Sequence, residues 1–176
     1  MATSKKLKFI SLYINNLCYF NELSSLTDID LTGIKTNSIK ALCDDVPFIN
    51  LQMLKICKNN EIDYSDLKNA KFTKLKILYL AEDGIEDLNK IEMDKYPFED
   101  LEILNLSQNN IESVEPILHF INLKVLNLRG NKVFNEGAIL LIQKLKCSSI
   151  DLRGNYAYKE EIKNICGEVP NVIFNN

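Results

Sequence analysis

The sequence predicts an α/β solenoid, with a parallel β-sheet on a concave face and short helices or 3-10 turns on a convex one. Three observations predict it. The segments LKILYLAEDGI from Leu75, LEILNLSQNNI from Leu101 and LKVLNLRGNKV from Leu123 nearly repeat one another. All three fit L-x-x-L-x-L-x-x-N-x-L, with Asp83 in the asparagine place of the first. A phenylalanine precedes the first leucine of four repeats by three residues, at Phe48, Phe72, Phe98 and Phe120. Between the motifs, apolar residues recur at helical spacing. A fixed period along a whole chain marks stacked units, none of which can bury its apolar face alone.

The repeats are justified in chain order. The first uses Leu7, Ile10, Leu12, Asn15 and Leu17. Leu26, Ile29 and Leu31 open the second, in which Ile34 holds the asparagine place and Asn37 comes three residues late, so a wider turn is expected. Leu51, Leu54, Ile56 and Asn59 form the third, with Ile62 one place late. The fourth, fifth and sixth are the three segments above, and Cys147, Ile150, Leu152, Asn155 and Ala157 form the seventh. Starts at 7, 26, 51, 75, 101, 123 and 147 average about 23 residues apart, inside the 20–29 window of one repeat class. This pattern resembles the leucine-rich repeat family, and the resemblance covers nearly all of residues 7–157. It implies one domain, 1–176, whose segment from about 156 to 176 closes the solenoid as a cap.

Each motif position has a physical reason. Leu-x-Leu alternation puts motif positions 4 and 6 on one side of a short strand and the residues between them on the other. An asparagine after the strand both donates and accepts, so stacked copies can satisfy turn backbone repeat after repeat. Asn15, Asn59, Asn109, Asn131 and Asn155 make that column. Asp83 cannot donate when ionised and marks a weak point in repeat four. Glycine 6 and proline 4 are scarce, consistent with an asparagine ladder turning the chain. The phenylalanine column predicts an aromatic spine.

The return segments carry inward stripes at helical spacing. These are Ile39, Leu42, Cys43 and Val46; Val114, Ile117, Leu118 and Ile121; Ala138, Leu141, Ile142 and Leu145; and Ile162, Ile165, Cys166 and Val169. Repeats three and four show sparser patterns and predict shorter turns. After Asn155, a helix and a proline lead toward a last strand supplied by Val172 and Phe174. No room for a cap precedes Leu7, so Lys5, Lys6 and Lys8 blunt the first edge or a partner covers it.

Composition bounds the function. Lys and Arg number 21 against 24 Asp and Glu, giving a formal charge of −3, which argues against a general nucleic-acid or anionic-membrane binder. Five cysteines without a C-x-x-C pair predict reduced thiols in a cytoplasmic protein, with the nucleus also open. Apolar stretches fall short of the roughly 20 residues a membrane helix needs. The single histidine, His119, has no nucleophile elbow or acidic orienter in its frame, and P-loop, dinucleotide and zinc motifs are absent from the sequence. Cofactor, metal and enzymatic activity are therefore not expected. Acidic pairs such as Glu82–Asp83 are expected to be solvated. Cys43, Cys147 and Cys166 are expected in the core, and Cys57 on the outer strand face within reach of solvent.

What remains is the strand face. Its outward positions carry seven cations (Lys8, Lys55, Lys58, Lys76, Lys124, Arg129, Arg153) and five anions (Asp28, Asp30, Glu82, Glu102, Asp151). That excess suits a protein partner with an acidic segment. Candidate contacts are Tyr79, Asn105, Lys124, Asn127, Arg129, Asp151 and Arg153, with a second patch at Phe9, Tyr13 and Ile14. The expected function is a non-catalytic protein-interaction scaffold. Two alternatives stand beside it. LKCSSIDLRGN resembles the final repeat of messenger-RNA export factors, which implies an RNA-binding or ribonucleoprotein-associated module. An uncapped first repeat would suit a small structural subunit docked in a large assembly.

Overall fold

The computed structural model describes residues 6–7, 25–33, 39–44 and 48–175. Among the described residues, eight strands form one parallel sheet in strict chain order, with three helices. They are β1 (Lys6–Leu7), β2 (Asp28–Asp30), β3 (Met53–Lys55), β4 (Ile77–Tyr79), β5 (Ile103–Asn105), β6 (Val125–Asn127), β7 (Ser149–Asp151) and β8 (Val172–Ile173). Three helices, α1 (Lys40–Asp44), α2 (Asn135–Lys144) and α3 (Lys159–Cys166), and 3-10 turns at Tyr64–Asn69, Met93–Lys95 and Glu115–His119 return the chain. The repeat period dictates this order. Each strand pairs only with its sequence neighbours, because every unit rests on the one before it.

In β2 to β6 the central residue alone is buried, and its two neighbours stand half-exposed on the opposite side. Leu54, Leu78, Leu104 and Leu126 thus form one core column in register across β3 to β6. Behind it lies the aromatic spine. Phe48, Phe72, Phe98 and Phe120 are all buried. Phe48 meets Phe72 edge-on at 5.9 Å, and Phe72 stacks on Phe98 at 6.0 Å. Tyr96 joins them against Phe98 at 5.6 Å and donates its hydroxyl to Tyr64 O at 2.9 Å. Val172 and Phe174 are buried, and β8 pairs with β7.

The asparagine ladder has the geometry that its chemistry requires. Asn109 Nδ2 donates to Leu80 O and Leu106 O, Asn131 Nδ2 to Leu106 O and Leu128 O, and Asn155 Nδ2 to Leu128 O and Leu152 O, at 2.8–3.1 Å. Each side chain ties its own repeat to the preceding one, and Leu106 O and Leu128 O each serve two amides. The Oδ1 atoms accept from the preceding turn: Ile111 N on Asn131 and Val133 N on Asn155. The turn itself uses left-handed backbone at one repeated position. Lys58, Glu82 and Gln108 have φ of 63°, 61° and 57°, and Gly33, Gly130 and Gly154 have φ near 70°. Three of those six are glycine, where the chain has least to lose from this conformation.

Several expectations need correction. Cys57 is 5% exposed, not reachable, because the strand has ended by then and the turn folds its side chain inward; burial pushes its thiol pKa up. Asp83 is 4% exposed while Glu82 is exposed, so the pair is split between core and solvent. Ile121 is 79% exposed: a 3-10 turn, with three residues per turn, ends at His119 and rotates the last apolar residue outward. Ile165 is 63% exposed and Cys166 only half-buried, since α3 packs on one side alone at the end of the stack. Phe9, Tyr13, Ile14, Asn15, Ile34, Asn37 and Val46 lie outside the described residues.

Candidate functional site

The outward residues of the strands fall into columns fixed by register. In β2 to β7 the last residues are Asp30, Lys55, Tyr79, Asn105, Asn127 and Asp151, each paired with the next. Four expected contacts (Tyr79, Asn105, Asn127, Asp151) therefore share one line. Three of them also have a local task. Asn105 Oδ1 accepts Ser107 N, Asn127 Oδ1 accepts Arg129 N and Asp151 Oδ1 accepts Arg153 N, at 3.0–3.1 Å, as Asp30 Oδ1 does for Thr32 N. These are Asx turns that steer the chain off the sheet.

The expected cationic cluster is partly spent within the chain. Arg153 bends onto Asp151, with Nη2 to Oδ2 at 2.6 Å and Nε to Oδ1 at 3.0 Å. Burial works to raise the Asp151 pKa, but those hydrogen bonds and the nearby Arg129 charge hold it below the usual carboxylate range. Lys124 Nζ lies 2.7 Å from Glu102, which also holds Lys76 at 3.2 Å. Lys55 pairs with Asp30 at 3.5 Å and Lys58 with Glu82 at 3.6 Å. Arg129 has no ion pair among the described residues, and its side chain is exposed. Lys76, Glu102 and Lys124 make a ladder of two cations on one anion, so excess positive charge survives there and at Arg129.

The first residues of β2 to β7 form a column that the sequence reading did not single out. Met53, Ile77, Ile103 and Val125 are in register, and all four are half-exposed. Asp28 continues the column at one end and Ser149 at the other. The result is an apolar stripe four strands long, with the Lys76–Glu102–Lys124 ladder on one flank and the Tyr79 to Asp151 column on the other. All four residues stand at motif position 3. Comparing that position across repeats, instead of reading each repeat's outward residues separately, would have revealed them.

Among the described residues, no group of three or more His, Cys, Asp or Glu side chains could hold a metal ion. His119 Nε2 donates to Tyr96 O at 3.1 Å and its ring rests edge-on against Phe120 at 5.4 Å, so it ties one return segment to the preceding one. No helix among the described residues is long and apolar enough to cross a membrane.

Solved structures share this architecture. An internalin from Listeria monocytogenes str. 4b F2365 superposes with a TM-score of 0.63 at 20% identity, over 88% of this chain and 49% of its own. The chain is a leucine-rich-repeat solenoid. An internalin C2 from the same organism matches with a TM-score of 0.53 at 16% identity, over 87% of this chain and 81% of its own. The solenoid thus spans about half the length of the first internalin. At these identities the likeness concerns the fold. No protein-family model matches the sequence, and no curated protein matches it.

Proposed function

We propose that this leucine-rich-repeat chain is a non-catalytic protein-interaction scaffold, cytoplasmic or nuclear, that binds its partner on the concave strand face. The observation that carries the reading is the stripe Met53, Ile77, Ile103 and Val125, half-exposed in register. Strand centres in the same column sense are fully buried, so the stripe is apolar surface left outside a complete core. Such patches mark contact surfaces, and binding energy concentrates in a few central apolar or aromatic anchors. Tyr79, two residues from Ile77 along β4, borders the stripe as a polar contact, and Lys124 adds positive charge on the opposite flank. Arg129 and Arg153, the latter paired with Asp151, lie two residues beyond the column of Asn127 and Asp151. We take residues 1–176 as one domain, closed from about 156 onward.

The test compares affinity capture from native lysate by the wild type, by Ile103→Asp and by Arg129→Glu/Arg153→Glu, read by mass spectrometry. Ile103 is half-exposed and both arginines are exposed, so circular dichroism should be unchanged. A partner lost with Ile103→Asp and weakened with the arginine pair is the expected result. Identical partner sets from all three proteins would refute the concave-face reading.

A further inference from the structure

We propose that the occupant of the concave face is an amphipathic α-helix with acidic shoulders, lying across the strands along the stripe. The proposal rests on the concave-face reading and adds the class of partner.

Spacing favours a helix. Neighbouring strands stand about 4.8 Å apart, so three intervals from Met53 to Val125 span about 14 Å. One face of a helix presents an anchor every turn, about 5.4 Å, or about 16 Å for three turns. An extended peptide presents one every two residues, about 6.7 Å, or about 20 Å over the same three steps. Only the helix keeps its anchors near the four sites.

Backbone chemistry points the same way. The interior strands already use their N–H and C=O groups on each other, through bonds such as Ile56 N to Tyr79 O, Leu80 N to Asn105 O and Leu106 N to Asn127 O. A strand gains affinity by adding to a sheet edge, where main-chain groups are open. Laid over this face, an extended peptide would press unpaired amides onto Ile77 and Ile103. A helix satisfies its own backbone and offers only side chains.

The flanks set the charge. Lys76 and Lys124 share one carboxylate on Glu102, and Arg129 has no ion pair among the described residues. Lys55, Lys58 and Arg153 are each neutralised by one partner. One shoulder of a bound helix would meet the Lys76–Lys124 surplus, and Arg129, two residues beyond Asn127, adds positive charge past the other, so glutamate and aspartate fit there. Asp28 and Ser149 end the stripe, limiting the apolar contact to about three helical turns.

The experiment selects on the full chain from displayed 16-residue peptides in four pools: apolar positions at helical or at alternating spacing, each with Glu-rich or Lys-rich remainder. Enrichment of the helical, Glu-rich pool is expected. Its best peptide should gain helicity on binding, bind at least tenfold more weakly to Ile77→Asp and several-fold more weakly to Arg129→Glu. Enrichment of an alternating pool that still depends on Ile77 overturns the helix and leaves the concave face standing. Enrichment of the Lys-rich pool overturns the acidic shoulders. No enrichment, while Ile103→Asp still loses a captured lysate partner, overturns the helix alone; binders indifferent to both variants overturn the helix and count against the face. A dimer in sedimentation that Ile77→Asp dissolves would assign the stripe to a second copy and sink the proposal.

Discussion

Asp83→Asn should stabilise the protein at neutral pH. Asp83 occupies an asparagine place in the ladder and is 4% exposed. Its Oδ1 accepts Asn59 N at 2.7 Å, as an asparagine oxygen would, but its Oδ2 has no hydrogen bond of normal geometry, although the Tyr64 hydroxyl lies near enough to the carboxylate to lower its pKa. In the neighbouring repeats that second atom is an amide nitrogen donating to two carbonyls. The equivalents here are Ile56 O and Leu80 O, and an ionised oxygen can only repel them. Tyr64 Oη, close to both groups, reaches Ile56 O at a long 3.4 Å.

Burial, the largest cause, and the Glu82 charge raise the Asp83 pKa from 3.8 to about 6, against lowering by the Asn59 and Lys58 amides and the Tyr64 hydroxyl. The folded state therefore favours the protonated acid. Its contribution is fully present below the unfolded value near 3.8 and is lost as pH rises through about 6. Each pKa unit is about 1.4 kcal/mol, a ceiling of about 3; allowing for solvation at the turn leaves roughly 1–2 kcal/mol of destabilisation at pH 7. The amide also supplies hydrogen bonds of about 1 kcal/mol. Urea unfolding followed by circular dichroism at pH 4, 5, 6 and 7.5 should show Asp83→Asn nearly neutral at the low end. Above pH 7 the variant should be more stable by roughly 1–3 kcal/mol. A pH-independent difference, or a less stable variant at pH 7.5, would refute the reasoning.

Two further outcomes follow from the turns and the thiols. Glu82→Gly relieves a left-handed residue at φ 61° and should raise stability by about 0.5–1 kcal/mol, since the lost Lys58 contact is exposed and weak. Gly154→Ala should lose about 1–2 kcal/mol, because its φ is +70° and the new Cβ would sit 3.2 Å from Gly130 N; equal melting temperatures for the wild type and both variants would contradict the strain argument. Thiol labelling with peptide mapping should modify Cys166 well before Cys57 or Cys147, whose pKa burial raises to about 11 in the latter; early modification of Cys57 would place it at the surface after all.

Much of the fold was legible because it is written as a period. Leu54, Leu78, Leu104 and Leu126 recur in the same frame, and from β2 to β7 each strand meets the next at the same motif position; β1 departs from it, since Leu7, expected at motif position 1, pairs with Ile29 at position 4. Departures occur where the period ends or a different helix geometry intervenes. Ile121 matches an α-helical stripe in sequence, yet its segment winds as a 3-10 turn with Pro116 near its start, and one fewer fraction of a residue per turn sends it to solvent. Ile165 fails for another reason, because α3 has a neighbour on one side only. Alternation likewise assigned Cys57 to the outside, but alternation holds only while the chain remains a strand. By Cys57 the backbone is entering the left-handed turn at Lys58.

The proposed binding face was legible as positions and not as chemistry. Every outward residue could be named from the motif, but sequence alone gives each charge as free. In the folded chain, Asp151 takes Arg153, Glu102 takes two lysines and Asp30 takes Lys55, so most of the polar face is committed to itself. The Asp151–Arg153 pair is local, two residues apart, but the Glu102 and Asp30 pairs depend on rotamers and on neighbours 22 to 26 residues away, which no local pattern encodes. Apolar groups have no such internal outlet. Met53, Ile77, Ile103 and Val125 cannot turn into a core already filled by the leucines behind them, so their exposure persists until something covers it. The structure therefore shifts weight from the charges that the sequence advertised to the stripe between them. Arg129, four residues past Val125 and without an ion pair among the described residues, is the charge left for such a cover to meet beyond the stripe.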